Sequence, residues 1–313
     1  MAQPLLPSNQ VINWVLDWDG TITKHDTLDV LVNIAAQRKP GFGVPEKWKN
    51  LTQAYLSDYE ETLKKHVPDG KLPLKVSDEK KLLRILEEVE KRSIDRVSNS
   101  SIFGSLTKRD VDEGAIEAIK SGRVQIREGY IDFVQALRDR KGRFDERFFI
   151  LSVNWSQKFI AACLSARVYD RCSSKDMFPA IYANELEGLH EKTGKEIFEK
   201  PSTGHISPGT SRSNTIVSSH DKLERFQIIG PEDHAKTRKV YVGDSWTDLE
   251  CLLEADLGIC IRDDPMTGTQ QKLADSLQRI GVRCTRLQDC EQTDEWSVVW
   301  ARDFHEILHW LKA

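Results

Sequence analysis

A chain of 313 residues is long enough for one large α/β core carrying an inserted second domain. Its 39% hydrophobic and 30% charged residues are typical of globular proteins, and a net charge of −4 argues against non-specific nucleic-acid binding. No stretch approaches the ~20 apolar residues of a membrane span, and the N-terminus does not resemble a secretory signal. The six cysteines form no CxxC pair. We therefore expect reduced thiols, a cytoplasmic location and no nucleic-acid or membrane partner.

The first predicted element is a strand over VINWVLD, where apolar and β-branched residues predominate. It ends on Asp17, and Asp19, Gly20 and Thr21 follow closely. Solvated acids at a strand end, followed by a turn, would be a purely structural explanation. A strand-tip carboxylate can also attack phosphorus while a second acid protonates the leaving alkoxide. Gly20 permits a tight turn, and Thr21 can offer a hydroxyl or amide group to phosphate.

Helical patterns then fill about a hundred residues, far more than a crossover between two parallel strands needs. Three amphipathic segments have helical spacing: 45–66, 77–97 and 110–122. We predict an all-helical cap domain over 26–125, inserted into a discontinuous α/β core at 11–25 and 126–313. The chain returns to that core through a predicted amphipathic helix in GYIDFVQALRDR.

The later predicted strands have the same pattern as the first, because each ends in a polar residue and is followed by a helical pattern. RFFILS ends at Ser152 and RKVYVGD ends at Asp244, and a further apolar run, LGICI, follows. Strands that alternate with helices predict a parallel sheet with ligands beyond the strand carboxyl ends. Residues 200–216, rich in Ser, Gly, Thr and Pro, predict an exposed, flexible loop within the core.

Four motifs in this order resemble the signatures of the haloacid dehalogenase (HAD) superfamily, over about two-thirds of the chain. DWDGT at 17–21 is similar to its DxDxT motif, and Ser152 takes the place of the strand-terminal Ser. Lys222, in SSHDKLERF, is similar to the Lys at a helix start, and GDSWTD at 243–248 to the acidic loop. The resemblance implies a Rossmann-like parallel-sheet core with a helical cap.

The resemblance also implies a role for each matching residue. Asp17 would be the nucleophile and Asp19 the general acid/base. The phosphoryl group would be bound by Gly20, Thr21, Ser152, Asn154 and Lys222. The implied cofactor is Mg²⁺, held by Asp17, the backbone carbonyl of Asp19, Asp244 and, directly or through water, Asp248. Asp19 favours phosphatases and phosphomutases, since dehalogenases and P-type ATPases of this superfamily lack that acid.

Three stretches resemble the phosphoserine-phosphatase branch: KHDTLDVL, IREGYIDFVQAL and YANELEG. Asp26 stands where that branch has a substrate-contacting Glu. The sequence departs from the branch after Ser152, where Val153, Asn154 and Trp155 replace the usual glycines. This difference implies a larger, more aromatic pocket with Trp155 near the substrate, and it argues against phosphoserine itself.

Several of these residues have structural alternatives. Asp244 and Asp248 would suit any helix N-terminus, Ser152 and Asp26 could act as helix caps, and a lone Lys222 could be solvated. HEILH near the C-terminus matches a zinc-protease pattern, but no third ligand follows it and an apolar stripe favours a closing amphipathic helix. Trp18 is expected to pack rather than to contact substrate.

Together these patterns predict an Mg²⁺-dependent phosphatase that acts on a small phosphorylated metabolite through an aspartyl-phosphate intermediate. A phosphomutase or phosphotransferase would use the same residues. A HAD-fold regulatory or binding protein with little turnover is the alternative outside enzymes. The sequence indicates neither the substrate nor the oligomeric state.

Overall fold

The computed structural model describes most of the chain, in seven stretches: 11–139, 146–168, 179–189, 200–209, 214–230, 237–290 and 298–312. The expectation of no secretory signal concerns residues 1–10, which lie outside these stretches, and so does Cys172. Among the described residues, no helix is both long enough and apolar enough to cross a membrane.

Seven strands form one sheet, and each strand pairing described within it is parallel. Their spatial order is β3 (Ala180–Tyr182), β2 (Glu146–Leu151), β1 (Val11–Leu16), β6 (Thr237–Gly243), β7 (Leu257–Ile261), β9 (Val298–Ala301), β8 (Cys284–Arg286). The predicted parallel, Rossmann-like sheet is confirmed. Because parallel strands end at the same edge, the residues that follow β1, β2 and β6 meet there.

The central position of β1 explains its apolar sequence. It is paired on both sides, with Leu16 in register with Ile150 of β2 and with Val242 of β6. Trp14, Val15 and Leu16 are completely buried, as expected of a strand covered on both faces. The N–H of Asp17 still donates to the carbonyl of Val242 at 2.9 Å, so the sheet fixes the backbone of the first residue beyond the strand.

Within the described stretches, five α-helices lie between β1 and β2: α1 (Leu28–Arg38), α2 (Val44–His66), α3 (Val76–Ser100), α4 (Lys108–Lys120) and α5 (Tyr130–Asp139). The described α-helices after β2 are α6 (Gln157–Val168), α7 (Ser219–Ile228), α8 (Leu249–Glu254), α9 (Gly268–Arg279) and α10 (Phe304–Lys312).

The helices between β1 and β2 pack on one another and on the rest of the molecule. α2 packs against α3, and α1 against α4. α4 also packs on α6, and α3 contacts α7, so this helical layer lies over the carboxyl edge of the sheet. An isolated antiparallel bridge joins Thr23 to Ile126, where the chain leaves the sheet and returns. Abundant helices here agree with a helical cap, while its bounds at 26–125 stay a prediction.

Part of the predicted flexible loop at 200–216 is instead folded. Ile206–Pro208 forms β5, which pairs antiparallel with β4 (Asn184–Leu186), and both Ser202 and Ile206 are buried. The polar composition was misleading because these residues satisfy their backbone groups in a small second sheet. Residues 210–213 of the predicted loop lie outside the described part of the chain.

Candidate active site

A buried ion pair occupies the carboxyl end of β1. Asp17 is 3% exposed, and its Oδ1 lies 2.9 Å from Nζ of Lys222, which is completely buried. Lys222 sits in the first turn of α7, a helix that Ser218 and Asp221 start with reciprocal capping hydrogen bonds. This arrangement confirms the predicted helix start and excludes the alternative of a solvated lysine.

The protonation of this pair is shifted by its surroundings. Burial and the charge of Asp248 raise the pKa of Asp17 to about 8, against the opposing effect of Lys222. Burial alone would lower the pKa of Lys222, but the carboxylates of Asp17 and Asp248 outweigh it and raise that pKa. Lys222 is therefore a permanent positive charge at the tip of β1.

Asp248 is the second partner of that charge. Its Oδ1 accepts from Nζ of Lys222 at 2.7 Å and from the hydroxyl of Tyr241 at 2.6 Å. Its Oδ2 accepts from the backbone N–H groups of Asp244 and Ser245 and from Oγ of Ser245, at 2.9–3.1 Å. These contacts lower its pKa even though burial would raise it. With both oxygens engaged, Asp248 positions Lys222 and the acidic loop, and it has more hydrogen-bond donors than Asp17 or Asp244.

Asp244 is bound more loosely. Thr21 and Thr269 donate to its two oxygens at 3.3 Å each, long for hydroxyl donors. Burial, followed by the charges of Asp248 and Asp17, raises its pKa well above the ordinary value. Gly20, at φ +72°, makes room for it, because a Cβ there would lie 2.3 Å from Oδ2 of Asp244.

The three acids suit a divalent cation. Asp17, Asp244 and Asp248 each offer an oxygen atom, and these atoms lie within 4.8 Å of one another in a buried site. A hard cation such as Mg²⁺ prefers carboxylate and carbonyl oxygens. Burial first, and neighbouring negative charge second, raise the pKa values of Asp17 and Asp244, and a bound cation would oppose both effects. The residues therefore fit the predicted metal, with Asp17 and Asp244 as the available carboxylates.

Asp19 has a different environment. Its Oδ1 accepts from the N–H and the hydroxyl of Thr27 at 2.8 and 2.6 Å, and its Oδ2 from Nδ2 of Asn154 at 2.9 Å. Burial and the charge of Asp26 raise the pKa of Asp19 to about 7. A carboxyl group that titrates near neutral pH can both give and take a proton there.

Three other predicted residues are placed nearby. Ser152 is completely buried just after β2, and its Oγ accepts from the N–H of Asn154 at 3.1 Å. Asn154, predicted to bind phosphate, instead donates its side-chain amide to Asp19 and Thr27. Trp18 is completely buried and donates to the hydroxyl of Thr27 at 3.1 Å, so the predicted packing role is confirmed.

Sequence reasoning missed Thr27 and Arg127. Thr27 holds Asp19, Trp18 and Asn154 through one hydroxyl. Arg127 is buried and donates to the backbone carbonyls of Gly20 at 2.6 Å and Thr21 at 2.9 Å, while Asp263 lies 2.5 Å from its Nη1. Both residues lie in stretches that resemble the phosphoserine-phosphatase branch, and this resemblance is the sequence feature from which they could have been predicted.

A cavity of about 320 Å³ opens beside Asp19. Asn154, Trp155 and Asp26 line it, and a role of the last two in binding substrate stays a prediction. Asp26 is exposed at the rim of the cavity, and its side chain accepts a hydrogen bond from the N–H of Leu28 at 2.7 Å. Leu28 is the first residue of α1, so this contact agrees with the alternative that Asp26 caps a helix.

The HEILH pattern forms no metal site in the described part of the chain. His305 and His309 are exposed on α10, and Asp17, Asp244 and Asp248 are the acids that cluster among the described residues. Phe304 and Ile307 are completely buried. The predicted closing amphipathic helix is confirmed.

Comparison with known proteins gives distant relatives and a shared fold. No family model matches the chain. It is 26% identical over 277 residues to a CTO1 family protein of Schizosaccharomyces pombe, covering 85% of each chain. It is 25% identical over 303 residues to the mitochondrial "Bifunctional TH2 protein" of Arabidopsis thaliana, covering 89% of this chain but 42% of that protein.

Among solved structures, a phosphoserine phosphohydrolase-like protein from Francisella tularensis superposes with a TM-score of 0.50 at 14% identity. The match covers 95% of this chain and 98% of the other. At this identity the similarity concerns the fold. The chain therefore has the fold of this phosphoserine phosphohydrolase-like protein, and its motifs resemble those of the HAD superfamily.

Proposed function

We propose that this chain, a HAD-fold protein, is an Mg²⁺-dependent phosphatase that hydrolyses a small phosphomonoester through a phospho-Asp17 intermediate. One observation carries the proposal. Two acids placed two residues apart occupy separate environments, Asp17 beside Lys222 and Asp244, and Asp19 beside Thr27 and Asn154. The first environment suits a nucleophile and a metal, and the second suits a proton donor.

In the first half-reaction, a carboxylate oxygen of Asp17 forms a bond to phosphorus as the bond to the leaving oxygen breaks. Asp19 donates its proton to that oxygen, and a pKa of about 7 supports this role at neutral pH. In the second half-reaction, Asp19 takes a proton from a water molecule that attacks phosphorus, which releases Asp17 and phosphate.

The surrounding groups bind and orient. Lys222 keeps Asp17 in place and offers positive charge to the phosphoryl oxygens, while the Gly20–Thr21 turn and Ser152 follow two paired parallel strands and so lie at the same edge of the sheet. Arg127 fixes that turn through its carbonyls. Mg²⁺ would be held by Asp17, Asp244 and the backbone carbonyl of Asp19, where it would screen nucleophile from phosphate.

The test uses the purified protein, p-nitrophenyl phosphate and Mg²⁺. We expect inorganic phosphate to be released and EDTA to abolish the reaction. Asp17→Asn should lose at least ~10³-fold in kcat, and Asp19→Asn ~10²–10⁴-fold. Asp275→Asn, the same change at an exposed position of α9, serves as the control.

Two results would contradict the proposal. Activity that survives Asp17→Asn or EDTA would exclude this mechanism. Transfer of phosphate to an added alcohol or sugar, without release into water, would favour a phosphotransferase that uses the same residues.

A further inference from the structure

The position of the cavity beside Asp19 indicates which part of a substrate this cavity would bind. Asp19 and Asn154 line this cavity, whereas Asp17, Lys222 and Asp244 do not. If Asp19 protonates the leaving oxygen, the leaving group must extend into the space that Asp19 faces. This step rests on the proposed function. At about 320 Å³, the cavity has the size of a small-molecule site.

Aromatic rings form one wall of the cavity. The rings of Trp48 and Trp155 meet edge to face with centroids 5.9 Å apart, and Phe103 packs on Trp155 at the same separation. Nε1 of Trp48 donates to Asp29 at 2.8 Å, which fixes that ring. Trp155 is 8% exposed and therefore equally constrained. These rings are held in place without a ligand.

The charged groups on the cavity are all acidic. Asp19, Asp26 and Glu90 contribute to its lining, and no Lys, Arg or His is among the described residues that form it. Oε1 of Glu90 accepts from the hydroxyl of Tyr55 at 2.8 Å. Within the described stretches, Oε2 of Glu90 has no hydrogen-bond or ion-pair partner. An anionic leaving group would meet only like charges here.

The nearest lysine belongs to a neighbouring, smaller space. Lys272 lines a second cavity of about 190 Å³, which shares Tyr55 and Glu90 with the first. Its Nζ lies 4.0 Å from the ring centroid of Trp246 and contacts the hydroxyl of Tyr59, and its charge lowers the pKa of Glu90 without outweighing burial. Lys272 does not line the larger cavity, whereas Glu90 does.

We propose that the larger cavity is a subsite for a positively charged leaving group, with Trp48 and Trp155 as its aromatic wall and Glu90 as its counter-charge. Aromatic faces attract cations, and a carboxylate that is partly removed from water strengthens that attraction. The substrate class is then the phosphomonoester of an alcohol that carries an ammonium group or a cationic ring.

The first experiment measures binding of the alcohol alone and so does not depend on catalysis. [3-(Hydroxymethyl)phenyl]trimethylammonium and 3-tert-butylbenzyl alcohol have the same shape and differ in charge. By isothermal titration calorimetry, we expect the cation to bind at least 10-fold more tightly. Glu90→Gln should reduce that ratio to below 3-fold, whereas Glu88→Gln, on the exposed side of the same helix, should leave it unchanged.

Equal affinity for the two alcohols would contradict the proposed subsite. A loss of affinity in Glu90→Gln that is the same for both alcohols would also contradict it, because such a loss is a structural effect.

The second experiment compares kcat/KM for the phosphates of both alcohols and of 3-carboxybenzyl alcohol. We expect the order cationic, neutral, anionic. If the cationic alcohol binds but no phosphate ester is hydrolysed, the subsite stands and the proposed phosphatase function is wrong.

Discussion

Replacing Lys222 with Met tests the electrostatic core of the site. Nζ of Lys222 lies 2.9 Å from Asp17 and 2.7 Å from Asp248, and no part of the side chain reaches solvent. Met has a similar length and fills the same volume without charge. The variant therefore leaves two buried carboxylates that have lost their common cation.

The expected magnitude follows from these distances. At an effective dielectric constant of ~20, each contact is worth roughly 6 kcal/mol before desolvation is subtracted. Desolvation of the buried ions offsets most of that gain, and removal of one partner of a buried pair costs about 3–5 kcal/mol. We expect Lys222→Met to lower the free energy of unfolding by this amount at pH 7.

Urea denaturation of the metal-free protein is the assay, with Lys81→Met, at an exposed position on α3, as the control. The control should not change stability measurably. With Lys222 present the pKa of Asp17 is about 8, and without it that pKa should rise further, so the deficit should be largest above pH 8 and should shrink as the pH falls to 7 and Asp17 takes up a proton. A deficit below about 1 kcal/mol, or one independent of pH, would refute this account of the buried pair.

Three further outcomes are expected. Asp244→Asn should weaken Mg²⁺ binding at least 10-fold by calorimetry, whereas Asp248→Asn should mainly lower the unfolding temperature; the reverse order would show Asp248 to be the ligand. Gly20→Ala should lower both Mg²⁺ affinity and stability, because its Cβ would collide with Asp244; an unchanged variant would contradict the close packing. Burial raises the pKa of Glu90 to about 7, so preference for the cationic alcohol should increase from pH 6 to 8 in the wild type and should increase less in Glu90→Gln, where Asp19, with a pKa of about 7, still gains charge beside the same cavity.

Much of this fold could be predicted because its central strands leave strong local signals. β1 is apolar on both faces and ends abruptly in acids, and the same pattern recurs where β2 meets Ser152 and β6 meets Asp244. A parallel sheet then brings those ends together whatever the intervening sequence. The helix starts were predicted less well, since Thr107 and Asp110 cap α4 so that it begins at Lys108, whereas the sequence pattern placed its start at 110.

The site was harder to predict because several of its residues act through long-range contacts. Arg127 reaches the turn at Gly20 across more than a hundred residues of sequence, and Glu90 meets the cavity from the middle of a long helix with an ordinary amphipathic pattern. Asn154 was assigned to phosphate from its place after Ser152, but its amide holds Asp19 instead. Such contacts depend on how helices pack over the sheet, which local sequence does not encode.

The separation of the two acids links the fold to the proposed chemistry. β1 fixes Asp17 through the sheet, and the turn at Gly20 sends the chain toward α1, where Thr27 holds Asp19. Lys222 favours the charged form of Asp17 against burial and Asp248, which together leave its pKa at about 8, whereas Asp19 has no cation within its described contacts and a pKa of about 7. Because different elements hold them, one can act as nucleophile while the other delivers a proton to the leaving group.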